Sequence, residues 1–393
     1  MGVAHARCPL RLNQTTSQYM KFKIASKALY STLSGVSKVI NSKNTLSILD
    51  NFHWKVESDK LTITASDSEN TLTAVLPITA SEGEGDFCVN ARRISDIAKE
   101  LPDVDVEFSI NPSNGAMKIK FPGGVFDMMT LEGSQYPRTV EDAEETMSFS
   151  CPGSQIINGI ENTLFAVGSD ELRPQMMGIL WDIKPDGITF VSTDTRKLVR
   201  YIDNTSAPEI AASFILPLKP AVILKSLLDK DETVSVQISP RSAVFKTENL
   251  TLNNRFIKGN FPDYNRVIPT QNPYVVTVDR DTIITAVRRV AVCTDPGHGL
   301  IKFRFKPDML EMKVDDPNVG TFAQQEVPCD FTGNEMVIGF SAMFLMEIFS
   351  TIDTQNVIIK LADPSRPGLF EPEDNPENTS LVIILMPMAV TDF

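Results

Sequence analysis

The chain has 393 residues, 42% of them hydrophobic and 22% charged, which is enough for two to four domains with real cores and too apolar for long disorder. Lysine and arginine total 37 against 50 acidic residues, a net charge of -13, which excludes a protein that coats nucleic acid or an anionic membrane through bulk charge. The longest apolar run, Leu381 to Val390, is broken by Pro387 and is half the length a membrane helix needs; with no apolar signal core at the N-terminus, a soluble, cytoplasmic protein is expected.

Residues 1–19 have neither hydrophobic period nor cap and are expected to be a disordered leader or appended segment. From Met20 a short strand leads into a helix from about Ala25 to Ile40. Leu29, Leu33, Val36 and Ile40 share one stripe of it, with Lys27, Ser31, Ser34 and Lys38 on the opposite side. A strand from Leu61 to Asp67 ends at a polar corner. The segment Phe87 to Leu101 reads as a strand turning into a helix that buries Ile94, Ile97, Ala98 and Leu101 and leaves Arg92, Arg93 and Lys99 outside; an alternating strand, Val104 to Ile110, follows.

The same order then returns twice. Met147 to Cys151 opens onto a helix from about Ser154 to Val167, Ile188 to Asp194 repeats the strand with its corner, and Phe214 to Leu228 repeats the strand and helix, with Lys219 and Lys225 outside and Thr233 to Ile238 after it. In the third copy Val275 to Val278 opens onto a helix from about Asp281 to Cys293, with Ile283, Val287 and Val290 buried and Arg288 and Arg289 outside. Leu310 to Asp316 is a weaker match to the cornered strand, and Met336 to Ser350 with Val357 to Leu361 completes the copy. Leu131 to Pro137 also parallels Phe256 to Pro262. Repetition at a spacing of about 125 residues marks three copies of one module. Expected spans are 20–145, 146–272 and 273–393, each an α+β unit with two helices packed on antiparallel sheets.

Catalytic chemistry is poorly supplied. Cys8, Cys88, Cys151, Cys293 and Cys329 are scattered and contain no CxxC pair, which fits reduced, buried thiols better than disulfides or zinc. Of three histidines, His5 lies in the leader, His53 in an alternating strand and His298 in a turn, none with metal-ligand spacing. No phosphate-binding GxxxxGK[ST] occurs, and Gly83-Glu84-Gly85 lacks the third glycine and helix of a dinucleotide loop. Asp103, Asp105 and the cluster Glu141 to Glu145 sit in polar connections where carboxylates are solvated. No catalytic residue, metal or cofactor is expected. The cationic helix faces either solubilise the helices or, being repeated in an acidic protein, hold phosphates weakly, without sequence preference and in a salt-sensitive way.

Several landmarks carry a resemblance to a known family: the MKF start at Met20, Asn44 to Leu49, Thr193 to Leu198, Phe261 to Pro269 (FPDYNRVIP), Ile338 to Phe340, and Met386 to Met388 near the terminus. In this order and with the threefold repeat, the sequence resembles the bacterial DNA polymerase III β subunits, the replicative sliding clamps, from Met20 to Val390, and looks most like their Bacteroidetes branch. The resemblance implies a head-to-tail homodimer closing six modules into a ring around double-stranded DNA, helices inward. It implies a processivity subunit without catalysis. DNA-facing positions would be Lys27, Lys38, Lys43, Arg92, Arg173, Lys219 and Arg288, and ring joints would set Arg93 and Met128 against Val292 and Cys293 of a second copy.

The family also implies a pocket between the second and third modules, where the replicative polymerase, the clamp loader and repair proteins insert a short hydrophobic or aromatic motif. By position it maps to Met176, Thr193, Arg196, Leu198, Pro262, Arg266, Val267, Ser341, Phe344, Ile384, Met386, Pro387 and Met388. The chain departs from the family pattern at Thr195, Arg196 and Lys197 (often Gly-His-Arg), at Ser341 and Phe344 (often Asn and Tyr), and at Ala389 and Val390 (often Arg-Leu). Two alternatives stand beside the clamp: a repeat-built enzyme, and a protein-binding scaffold that never encircles DNA, which would have no use for matched cationic faces.

Overall fold

The computed structural model describes residues 19–137, 146–294, 299–316, 320–390 and 393. The leader before Tyr19, Cys8, the Glu141 to Glu145 cluster and the His298 turn lie outside the described residues. The chain divides into two compact units, residues 1–141 with 248–251, and 142–247 with 252–393.

The first unit runs β1 (Met20–Ala25), α1 (Ser26–Val36), β2 (Asn51–Val56), β3 (Lys60–Ser66), β4 (Asn70–Pro77), β5 (Thr79–Glu82), β6 (Gly85–Asn90), α2 (Ala91–Glu100), β7 (Asp105–Ile110), β8 (Ala116–Phe121), β9 (Gly124–Met129) and β10 (Leu131–Glu132). Two antiparallel groups result, β5-β1-β7-β8-β9 and β10-β6-β2-β3-β4. Alternation does the sorting: Met20, Phe22 and Ile24 of β1 are buried while Lys21 and Lys23 face out. On α1, Leu29, Leu33 and Val36 are buried and the lysine side is exposed, as expected, and a 3-10 turn finishes the helix at Val39. The Asn90 side chain caps α2 by accepting from the Arg93 N–H at 3.0 Å. Ile94 and Ala98 of α2 are buried, but Ile97 and Leu101 are only half-buried because they fall at the margin of the stripe.

The second unit continues with β11 (Met147–Pro152), α3 (Gly153–Thr163), β12 (Gly178–Lys184), β13 (Gly187–Thr193), β14 (Lys197–Asp203), β15 (Ala212–Pro217), α4 (Leu218–Leu227), β16 (Thr233–Ile238), β17 (Ser242–Lys246) and β18 (Leu250–Arg255). It closes with β19 (Tyr274–Asp279), α5 (Arg280–Ala291), β20 (Leu300–Lys306), β21 (Met309–Asp316), β22 (Thr321–Pro328), β23 (Asp330–Phe331), β24 (Met336–Ser341), α6 (Ala342–Thr351), β25 (Asn356–Leu361), β26 (Gly368–Pro372) and β27 (Thr379–Leu385). One nine-stranded sheet, β15-β12-β13-β14-β27-β26-β25-β19-β23, passes without a break from the second copy of the repeat to the third, and β22-β21-β20-β24 forms another. The last two copies make one compact unit.

The repeat is written in the cores. Trp54, Trp181 and Phe303 occupy the same place in the three copies, all fully buried, and each pairs across its ladder with the strand that precedes the second helix, at Phe87, Phe214 and Ile338 respectively. Neighbouring rings pack edge-on, Trp54 to Phe108 at 5.6 Å, Trp181 to Phe190 at 4.7 Å and Phe303 to Phe340 at 5.8 Å. Within each copy the two helices pack on one another, α1 on α2, α3 on α4 and α5 on α6. The strands ending at polar corners are β3, β13 and β21. Asp67 accepts from the backbone of Glu69 and Asn70, and Asp194 from that of Arg196 and Lys197, which closes both corners as Asx turns.

Candidate functional site

The expected pocket gathers where β14 meets β27. These strands pair antiparallel from Lys197 opposite Leu385 to Asp203 opposite Thr379, and the ladder extends one step further as the Met386 N–H donates to the Arg196 carbonyl at 2.8 Å. The corner before β14 is fixed from inside. Asp194 Oδ1 accepts from the N–H groups of Arg196 and Lys197, both at 2.9 Å, and the Thr193 hydroxyl donates to the Lys197 carbonyl at 2.8 Å. Thr195 is left-handed, φ 77°, a conformation that glycine would hold at less cost. The tail leaves β27 and binds the third copy, with the Met388 N–H donating to the Gly339 carbonyl at 2.8 Å. Further on, the Phe393 ring lies 3.7 Å from the Arg304 guanidinium.

Successive strand residues point to opposite faces, so the expected residues form two groups. On one face Leu198 and Ile384 are almost fully buried beside Leu180, Val191, Ile215 and Tyr264, and the half-buried Ile257, Phe261 and Ile268 pack over them. The Tyr264 hydroxyl donates to Asp182 at 2.8 Å, and burial together with that carboxylate pushes the phenol up to about 12. Leu198 and Ile384 are therefore floor. Of the other expected residues, Val267 and Met386 are 45% and 41% exposed and Pro262 is half-buried; Arg266 is exposed and held by Asp263 at 2.9 Å.

On the other face α6 presents Phe344, buried, one turn beyond its N-cap residue Ser341. Met176 joins this side of the corner through Gly168, whose N–H donates to the Met176 carbonyl at 2.8 Å. A Cβ on Gly168 would stand 3.2 Å from that carbonyl oxygen and 3.4 Å from the Thr193 carbonyl, so the glycine lets the segment approach the corner. Between corner and helix lies a residue that the expected set omits: Lys197, with only 5% of its side chain exposed, bonded to Glu347 at 2.5 Å. Alternation in β14 places this lysine inward, but nothing in the sequence names Glu347 as its partner. Beyond the corner a groove of about 580 Å³ is lined by Val337, Ile338, Gly339, Pro387, Met388 and Val390 among others, a size and lining that suit a short apolar segment.

The cationic positions are spread over the helices. Lys27 and Lys38 flank α1, Arg92 opens α2, Arg288 lies on α5 and Lys43 follows the first helix, all exposed. Several of these cations have acidic neighbours: Lys27 pairs with Asp103 at 2.6 Å, Arg173 with Asp170 at 2.8 Å, and Lys225 with Glu161 at 3.5 Å. Such exposed pairs are worth only about 0–1 kcal/mol each, so they remain exchangeable for phosphate. Lys219 is half-buried rather than fully outside.

Several edge strands carry apolar surface, β9 and β22 among them. β9 ends its sheet and exposes Val125 and Met129, 53% and 64%, while Met128 alternates to the other side and is half-buried. β22 ends the four-stranded sheet and exposes Phe322 at 58%. Beside β22 the end of α5 exposes Val292 at 82%, and Cys293 is tied to β22 by the Thr321 hydroxyl, which donates to its carbonyl at 2.8 Å. Val125, Met129 and Phe322 escape sequence reading because only sheet order shows which strands are left at an edge. Arg93 is exposed on α2.

Among the remaining chemical groups, His53 stacks on Tyr136 at 5.4 Å with Nε2 3.2 Å from Asp86. Burial pushes the thiols of Cys88 and Cys151 up to about 12 and that of Cys329 to about 11, so these are inert at neutral pH. Among the described residues no helix is long and apolar enough to cross a membrane.

Models of the N-terminal, central and C-terminal domains of the DNA polymerase III beta subunit match residues 20–140, 150–263 and 265–389. The beta sliding clamp of Pseudomonas aeruginosa is 27% identical, covering 94% of this chain and all of that protein; that of Bacillus subtilis is 25% identical over 94% of this chain and 99% of its own length. A crystal structure of the P. aeruginosa clamp bound to griselimycin superposes with a TM-score of 0.89 at 26% identity, covering 95% of this chain and 100% of that one. With three domain models matched in order, the chain belongs to the DNA polymerase III beta subunit family, the non-catalytic sliding clamps of DNA replication.

Proposed function

We infer that this protein closes as a head-to-tail homodimer around duplex DNA in the cytoplasm and tethers the replicative polymerase to its template, with the clamp loader and repair proteins using the same docking pocket. The observation that carries the reading is the threefold module, with cationic helices in each copy and exposed apolar residues on the edge strands β9 and β22 of different copies. Two unlike edges suit a heterologous contact, and an unpaired apolar edge is otherwise a liability. A ring holds DNA by topology, so surface cations, some of them paired with Asp103 and Asp170, suffice, and tight phosphate binding would oppose sliding.

The three-module division at 20–145, 146–272 and 273–393 is kept as the working one. The pocket assignment rests on the two-sided site at the β14 corner, and a relative crystallised with griselimycin supports ligand binding in this family. Loading the protein onto nicked circular DNA with a clamp loader tests the whole. Retention on circles that is lost on linearisation is the expected result; equal retention on both, or none on either, would leave only a scaffold.

A further inference from the structure

We propose that Lys197 is a positioning residue for the docking pocket: without touching the bound segment, it fixes α6 to the corner of β14 and thereby sets the place of Phe344. The proposal rests on the pocket reading above. Lysine is rarely buried, and a buried ammonium persists only where it is paired and hydrogen-bonded. Lys197 meets those conditions with groups from both sides of the pocket. Its Nζ lies 2.5 Å from Glu347 Oε2, 3.6 Å from Asp194 Oδ2 and 4.1 Å from the centre of the Phe344 ring, with Phe165 at 5.7 Å.

The root of the side chain is equally fixed. The Lys197 N–H donates to Asp194 and its carbonyl accepts from Thr193, while the preceding carbonyl, of Arg196, accepts from Met386. The Lys197 side chain thus carries a fixed corner to α6. Glu347 stands three residues beyond Phe344, on the same face of α6. Holding Glu347 therefore holds the rotation of the helix, and the ammonium resting on the Phe344 ring holds that ring. Alternation in β14 turns Lys197 away from Leu198, so it is no part of the apolar floor. Glu347 is one-third exposed and can turn to water when its partner is lost, which confines the damage to the placement of α6.

Isothermal titration with a synthetic peptide carrying a glutamine and a Leu-Phe pair tests the assignment on the full-length dimer. Lys197→Met should weaken binding by about tenfold or more, Lys197→Arg should restore most of the affinity, and Lys197→Met with Glu347→Gln should be no weaker than Lys197→Met alone, the non-additivity of groups that act as one unit. Val267→Asp with Met386→Asp, at exposed apolar positions, is the control for the pocket itself. If that control abolishes binding while Lys197→Met stays within about twofold of the parent, the positioning role is wrong and the pocket stands. If Lys197→Arg is as weak as Lys197→Met, charge plays no part and the proposal also falls. If the control binds like the parent, the pocket reading fails first. Should Lys197→Met not fold, Glu347→Gln alone is decisive, since an unchanged affinity there overturns the link.

Discussion

Val292 offers the sharpest test of assembly. It is 82% exposed at the end of α5, beside the free edge of β22. Burying a valine fully is worth roughly 1.5–3 kcal/mol, so covering what is exposed here contributes about 1.2–2.5 kcal/mol to a joint. An aspartate in its place forfeits that gain and adds about 1–3 kcal/mol for a polar group left without a partner, a total of about 2–5 kcal/mol per joint. A ring of two protomers has two joints, so Val292→Asp should weaken the dimer by about 4–10 kcal/mol, or about three to seven decades in dissociation constant. Adding Cys293→Asp should deepen the effect. The protomer itself should be unharmed, because substitutions at exposed positions stay within about 0.5 kcal/mol. Sedimentation velocity at sub-micromolar concentration, with thermal melting as the control, reads both quantities. A dimer that survives the double substitution, or one disrupted equally by Met343→Asp on the exposed side of α6, would refute the joint assignment.

Deleting Met386 to Phe393 should nearly abolish binding of a polymerase-derived peptide, because it removes an open apolar wall, whereas Arg196→Ala should cost about 0–1 kcal/mol; titration calorimetry on both variants decides. Reversing Lys38, Lys43, Arg92 and Arg288 to glutamate should lower retention on nicked circles and flatten the salt dependence of DNA binding by up to about 0.9 for each phosphate no longer neutralised; an unchanged slope would count against cationic helix faces as the DNA surface. The buried thiols carry a pH signature. Folding holds Cys88, Cys151 and Cys329 protonated, so their contribution is intact below about pH 9 and is lost as pH rises toward about 11 to 12. Urea midpoints measured from pH 8 upward should fall over that window, and serine at all three positions should flatten the fall.

Periodicity made much of the fold legible. The strands that open and follow the helices lie within a residue or two of their expected limits, because each has a buried face whose alternation admits one register. Trp54, Trp181 and Phe303 show why the repeat holds: the module needs one large ring under each helix pair, and the residue type is free to change so long as the volume is kept. The β14–β27 ladder, which joins the last two modules, pairs segments that lie far apart in the chain, so no local sequence pattern announces it. The pocket residues came by resemblance, and their division into two sides followed only once Leu198 and Lys197 were seen facing opposite ways. Glu347 was illegible for the same reason, since an ion pair between distant segments leaves no local pattern.

The β14–β27 ladder also bears on how the chain acquires its fold. Leu198 emerges from the ribosome long before its partner Ile384, so the second module must wait with an uncovered strand until β27 has been made. Such long-range pairing is slow, and an apolar edge left open during synthesis invites misassociation. Chains cut short anywhere before β27 would lack more than the third module: they would leave the second with a sticky flank, a reason for cells to clear prematurely terminated copies quickly.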